Sequence, residues 1–178
     1  MRSVVRDKEA TKAKLLEAGL DEFAEYGIAG ARVDRIAAKA GCNKAMIYAY
    51  FGSKEGLFEE LLKIQIDRMI QSVPITPDDL PGYAGRLFDS YVDQPQILRL
   101  AAYHRLENGF DVVPAPEAEA YRHKIEAIAQ AQMEGKLTAA YDANDLLDLV
   151  VHMSILGFST PNATRALVEK AVRRLIAE

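Results

Sequence analysis

Apolar residues recur at three- and four-residue spacing along most of this chain, and no run alternates with period two for long enough to make a strand. That pattern confines the chain to an all-α fold. From Thr11 onward, Leu15, Leu16, Ala18, Gly19, Leu20, Phe23 and Ala24 fall on one side of a helix. Lys12, Lys14, Glu17, Asp21, Glu22 and Glu25 take the opposite, polar side. Gly27 stands where a C-terminal glycine ends such a helix.

A second, short helix is predicted over 33–40, stopped by Gly41, and a third from Asn43 or Lys44 to Tyr50 or Phe51. The fourth starts at Ser53, whose hydroxyl can cap it, and ends before Pro74. Pro74, Pro77 and Pro81 punctuate the next stretch, with Asp78 and Asp79 as caps. Further helices are predicted near 79–93, 95–108, 115–135, 143–158 and 162–177, several opened by a proline in the first turn. The expected division is an N-terminal helix-turn-helix domain, residues 1–54, and a C-terminal helical domain, residues 55–178. No internal repeat or low-complexity segment interrupts it.

Charge is unevenly spread. Residues 1–54 hold ten Lys and Arg against seven Asp and Glu, while residues 55–178 hold twelve against nineteen, within an overall net charge of −4. A basic end on an acidic body presents one face to a polyanion and repels it elsewhere. The single cysteine, Cys42, excludes a disulfide within the chain and a cysteine-based metal cluster. His104, His123 and His152 sit in separate segments without metal-ligand spacing, so neither metal nor cofactor is expected. The first eight residues are charged and lack the apolar core of a secretion signal, and no apolar run is long enough to span a membrane. A cytoplasmic protein with no membrane partner is expected. No nucleophile elbow, phosphate loop or paired-carboxylate motif appears, which argues against a helical enzyme.

The segment Val33–Phe51 carries the most specific signal. Two short helices packed at a steep angle need a small residue at their crossing, which Ala37 supplies. The turn between them needs a residue tolerant of positive φ, which Gly41 supplies. Ile36, Ala40 and Ile47 can then bury with Leu20 and Phe23 of the first helix. This is a helix-turn-helix layout, whose second helix enters the DNA major groove by its N-terminal end.

The wider pattern runs from Leu15-Leu16-Glu17-Ala18-Gly19-Leu20-Asp21-Glu22-Phe23-Ala24-Glu25-Tyr26-Gly27 through Ile36-Ala37, Ala40-Gly41, Tyr48-x-Tyr50-Phe51 and Ser53-Lys54-Glu55-x-Leu57. It closely resembles the N-terminal domain of the tetracycline-repressor (TetR) family. The resemblance implies a two-domain, all-α protomer, a homodimer, a double-stranded DNA operator and a small-molecule effector that weakens the grip on it. Lys44, Ala45 and Met46 occupy the first turn of the implied recognition helix. There a lysine can donate to guanine, and Ala or Met can touch a thymine methyl. Tyr48 and Tyr50 match aromatic positions that hydrogen-bond phosphates in the family, and Ala49 lies between them. Lys54 adds charge beside the N–H groups that open helix four. Arg32 stands where the family usually has a Ser or Thr cap: a poor cap, but a cation beside DNA. Asn43 replaces the usual Ser and caps equally well. Plainer roles stand beside these: a packed ring for Tyr48, packing for Met46, a solvated face or a loose phosphate contact for Arg35 and Lys39, and a small buried side chain for Cys42.

In the C-terminal half the signals are coarser. The helix over 143–158 is apolar nearly all round and must be covered on two sides. By the resemblance, the last two helices pair with their twins in a dimer. The expected interface is Leu147, Val151, Ile155, Leu167, Val168, Ala171, Val172 and Leu175. An effector cavity is expected among helices four to eight. Its candidate lining is Met69, Phe88, Tyr91, Leu98, Tyr103 and His104, then Phe110, Tyr121, Ile125, Ile128 and His152. The run 101–109 reads equally as a pocket wall or as an amphipathic helix end. A dimeric interaction module that no longer reads DNA is the remaining alternative, and repressor against activator is not written in the residues.

Overall fold

The computed structural model describes residues 2–109 and 115–177, with side chains from 8 to 109 and from 118 to 177. Among the described residues every regular element is helical. These are α1 (Arg2–Gly30), α2 (Val33–Ala40), α3 (Ala45–Phe51), α4 (Lys54–Ser72), α5 (Leu80–Asp93), α6 (Pro95–Asn108), α7 (Ala115–Met133), α8 (Ala143–Ser154), α9 (Leu156–Ser159) and α10 (Arg165–Leu175). A 3-10 turn at Pro77–Asp79 leads into α5. The fold is all-α, with a helix-turn-helix near the N-terminus and a helical C-terminal part.

Two compact units form, one from Met1–Gln65 and Arg99–Val112, the other from Ile66–Leu98 and Val113–Glu178. The first therefore takes in, besides residues 1–54, the start of α4 and the latter part of α6.

Side-chain caps open several helices. The Ser53 hydroxyl accepts the Gly56 N–H at 2.9 Å and opens α4 as its sequence foretells. Asp79 accepts from Gly82 at the head of α5, Asp142 from Asp145 at α8, and Thr164 from Leu167 at α10. Two boundaries differ from expectation. α1 starts at Arg2, upstream of Thr11, because no glycine or proline stops the helix there. It leaves helical geometry at Gly27 (φ 68, ψ −179), as expected, but one further turn reaches Gly30. The helix expected over 143–158 is interrupted at Ile155. The Ser154 hydroxyl donates back to the Val150 carbonyl at 2.8 Å, an arrangement that bends helices. Gly157 then lets α9 approach Phe88 and Val92 of α5 where a Cβ would have no room.

In the first unit, Leu15, Phe23, Ile36, Ile47, Leu57, Phe58 and Leu61 are at most 2% exposed, and Phe23 meets Phe58 edge to face at 5.2 Å. Leu20 is half-buried. The second unit is built around α5. Its Leu80, Tyr83, Ala84, Leu87 and Phe88 share a core with Ile128 of α7, Leu146 and Val150 of α8, and Val168 and Val172 of α10.

That core corrects part of the expected dimer surface. Leu147, Val168 and Val172 have no exposed area and Val151 only 7%, so these side chains are covered within one protomer. Of the remaining candidates, Leu167 is 49% exposed, while Ile155, Ala171 and Leu175 are half-buried.

Candidate nucleic-acid interface

The turn between α2 and α3 depends on Gly41, which adopts φ 65, ψ 33. Its N–H reaches back to the Ala38 carbonyl at 3.2 Å, and the Cys42 N–H reaches that of Ala37 at 3.0 Å. These bonds satisfy carbonyls that the helix end leaves open. Ala37, only 4% exposed, is the small residue at the crossing. Asn43 caps α3: its side-chain oxygen accepts the Ala45 N–H at 2.9 Å, and Lys44 is already helical.

With Ile47 fully buried, the phase of α3 is fixed. Lys44, Ala45, Tyr48 and Ala49 form its exposed stripe, and Asn43 is exposed just ahead of it. Tyr48 is 50% exposed, so it is no core ring. Met46 and Tyr50 are half-buried, the latter edge to face with Phe51 at 6.2 Å. The Lys44 ammonium lies 3.1 Å from Asp34 of α2, and the hydrogen bond to that carboxylate raises its pKa. Arg32, at the head of α2, is exposed.

Lys54 is placed differently from the expectation of a phosphate-facing cation. Its ammonium donates to the Ile28 carbonyl at 2.7 Å and lies 3.4 Å from that of Ala31, with its side chain 23% exposed. It ties the end of α1 to the head of α4.

Glu22 departs furthest from its expected place on the polar side of α1. It is 8% exposed, and its carboxylate accepts the Arg32 N–H at 2.8 Å and the Arg35 Nε at 2.8 Å. Burial pushes the carboxyl pKa up, but the hydrogen bonds from Arg35 and Arg32 and the Arg35 charge outweigh it, and the net shift is downward. Arg35 also donates to the Gly30 carbonyl at 3.0 Å and lies 4.2 Å over the Tyr26 ring. It is thus a clamp between α1 and α2. Lys39 pairs with Asp21 at 2.6 Å on the surface, and Cys42 is half-buried with its thiol on the Ala40 carbonyl.

The expected effector lining is divided between the two units. Phe88, Tyr91 and Ile128 are buried in the core of the second unit, with Met69, Leu98, Tyr121 and Ile125 partly buried against it. Tyr103 and His104 belong to the first unit. There the Tyr103 ring lies against Gly27, and His104 is buried with Nε2 at 3.7 Å from Glu59. His152 is exposed. Its Nδ1 lies 2.7 Å from the Asp148 carbonyl oxygen, which accepts, and the ring borders a surface depression with Tyr141, Asp145 and Leu149. Phe110 lies outside the described residues.

The sequence reading did not single out two other polar groups in the second unit. The buried Tyr83 hydroxyl has no hydrogen-bond partner, and burial raises its pKa strongly. Lys124, 8% exposed on α7, places its ammonium 5.5 Å from the centre of the Tyr83 ring. Both residues sit at helical spacing among apolar neighbours, so periodicity gives no sign of them. Among the described residues no group of three or more His, Cys, Asp or Glu is placed to hold a metal ion, and no helix is long and apolar enough to cross a membrane.

Known proteins share both parts of this architecture. Residues 15–61 match the family described as bacterial regulatory proteins, tetR family, and residues 79–177 match the tetracyclin repressor-like C-terminal domain. Over 165 residues the chain is 44% identical to the HTH-type transcriptional repressor SCO4008 of Streptomyces coelicolor, spanning 92% of this chain and 86% of that protein. It is 33% identical over 114 residues to the HTH-type transcriptional repressor NicS of Pseudomonas putida, spanning 59% of this chain and 54% of NicS. The crystal structure of SCO4942 of Streptomyces coelicolor, described as a transcriptional regulator, superposes with a TM-score of 0.85 at 34% identity, over 93% of this chain and 98% of that one. A helix-turn-helix matched to that family over residues 15–61, with its C-terminal domain matched over residues 79–177, places the chain in the TetR family of DNA-binding transcriptional regulators, proteins that hold DNA and catalyse no reaction.

Proposed function

We propose that this regulator is a cytoplasmic repressor that binds a pseudo-palindromic operator as a homodimer and leaves it when a small-molecule effector binds residues 55–178. The observation that carries the reading is the exposed stripe Lys44, Ala45, Tyr48 and Ala49 on a helix whose opposite side is fixed by buried Ile47. Lys44 and Ala45 supply base-edge contacts; Tyr48, Arg32 and Asn43 hold phosphates; Met46 and Tyr50 flank the stripe. Lys54 acts indirectly, by holding the end of α1 against the head of α4. Repression is supported by the relationship to SCO4008, a transcriptional repressor. Two recognition helices in a two-fold dimer reach successive major grooves about 34–36 Å apart.

A mobility-shift assay on duplex DNA from the protein's own promoter region tests this. Lys44→Ala and Tyr48→Phe should each weaken binding, with Lys44→Ala also relaxing base preference at one position in each half-site. Unchanged binding by both variants removes those residues from the interface. Failure to retain any duplex in an unbiased oligonucleotide selection rules out the operator reading itself.

A further inference from the structure

A helix start leaves backbone N–H groups without partners, and a capping box normally satisfies them from within the same segment. There the first residue offers a hydroxyl, and an acid three positions on reaches back to the first N–H. α2 has neither half. Its first residue, Arg32, has extended backbone (φ −121, ψ 123) and makes no side-chain cap. Three positions on stands Arg35, which cannot accept a hydrogen bond.

The missing acid comes from another helix. Glu22 of α1 accepts the Arg32 N–H at 2.8 Å and is held in place by Arg35 Nε, at 2.8 and 3.1 Å from its two oxygens. The carboxylate is buried and its pKa is lowered, so it is ionised beside a helix N-terminus, where negative charge is favoured. The Arg32 N–H is thereby satisfied from α1, and the Arg32 side chain, which has no acceptor and could not cap, is exposed.

We propose that Glu22 is the positioning residue of the DNA-reading surface: it caps α2 from α1, fixing how α2 presents α3, and so allows the non-capping Arg32 at that position, where it can bind a DNA phosphate. The second half rests on the operator reading above. Glu22 itself touches no DNA.

The test uses Glu22→Leu, Arg32→Thr and the double variant in the full-length protein, with Glu22→Gln as a milder change that keeps an acceptor for the Arg32 N–H. Leu removes the carboxylate from both the Arg32 N–H and Arg35 and should lower the global melting temperature, so exchange and affinity are compared well below it, where every variant is folded. Amide hydrogen exchange at residues 32–35 should quicken, and affinity for the promoter duplex should fall by about five- to tenfold, with a smaller loss for Glu22→Gln. Arg32→Thr in the Glu22→Leu background supplies a hydroxyl that accepts the N–H of residue 34 or 35 and should slow exchange there, while the residue 32 N–H stays open. It should also lower the slope of log affinity against log salt by about one per protomer, because the phosphate contact is gone. Unchanged exchange at 32–35 in Glu22→Leu overturns the capping role, and affinity that falls only in step with global melting reduces Glu22 to a structural residue. An Arg32→Thr salt slope equal to wild type overturns the phosphate contact. A wild-type protein that binds no duplex sinks the operator reading, while the exchange measurement still judges the cap.

Discussion

At Gly41 the chain turns with φ 65, and no atom lies within 4 Å of where a Cβ would stand. The demand for glycine is therefore one of backbone conformation alone. Gly41→Ala should cost about 1 kcal/mol, the penalty of a left-handed residue, and Gly41→Asn less, measured by urea unfolding. Gly27 combines a positive φ with the Tyr103 ring 3.2 Å from the absent Cβ, so Gly27→Ala should be the more damaging substitution. Glu22 adds a pH signature. Its folded pKa is depressed, so its contribution is present above the ordinary carboxyl value of 4.5 and is lost as pH falls through the lower folded value. Glu22→Gln should be less stable than wild type near about pH 7, and the gap should narrow by about pH 3. A gap that widens on acidification would show that the carboxylate is not held ionised.

Among the elements, α3 and the head of α4 were legible because their signals are local: a left-handed glycine, an Asn cap, a Ser cap and one buried Ile. Ser53→Ala should cost about 1 kcal/mol in unfolding free energy, since the Gly56 N–H loses its acceptor. The burial of Glu22 was not legible. Periodicity put it on the polar side of α1, and only its partners at Arg32 and Arg35, brought close by the fold, explain a carboxylate inside. The bonds of Lys54 were hidden for a similar reason, because its carbonyl partners are Ile28, in the last turn of α1, and Ala31, just beyond it. For α8 and α10, apolar residues all round a helix show that both sides are covered without saying which side meets its own protomer. The side carrying Leu147 and Val151, and that of Val168 and Val172, proved internal.

For the molecule as a whole, Leu149, Phe158 and Leu167 of the last three helices and their connections are exposed at 36–49% and are the apolar side chains there open to a twin, if one binds. On the homodimer reading, Leu167→Glu should shift the sedimentation coefficient to that of a monomer, leave the helical circular-dichroism signal intact and abolish tight binding to a two-half-site duplex. A dimer that survives this change places the interface elsewhere. Salt gives an independent check: neutralising about eight phosphates should produce a slope of about −7 in log affinity against log salt. Because the hydrophobic centre around α5 is complete within one copy, pairing would join two bodies that have already folded. Occupancy of the operator would then climb with the square of protein abundance while dimers are scarce, so a modest change in the rate of synthesis would act on transcription as a steep one.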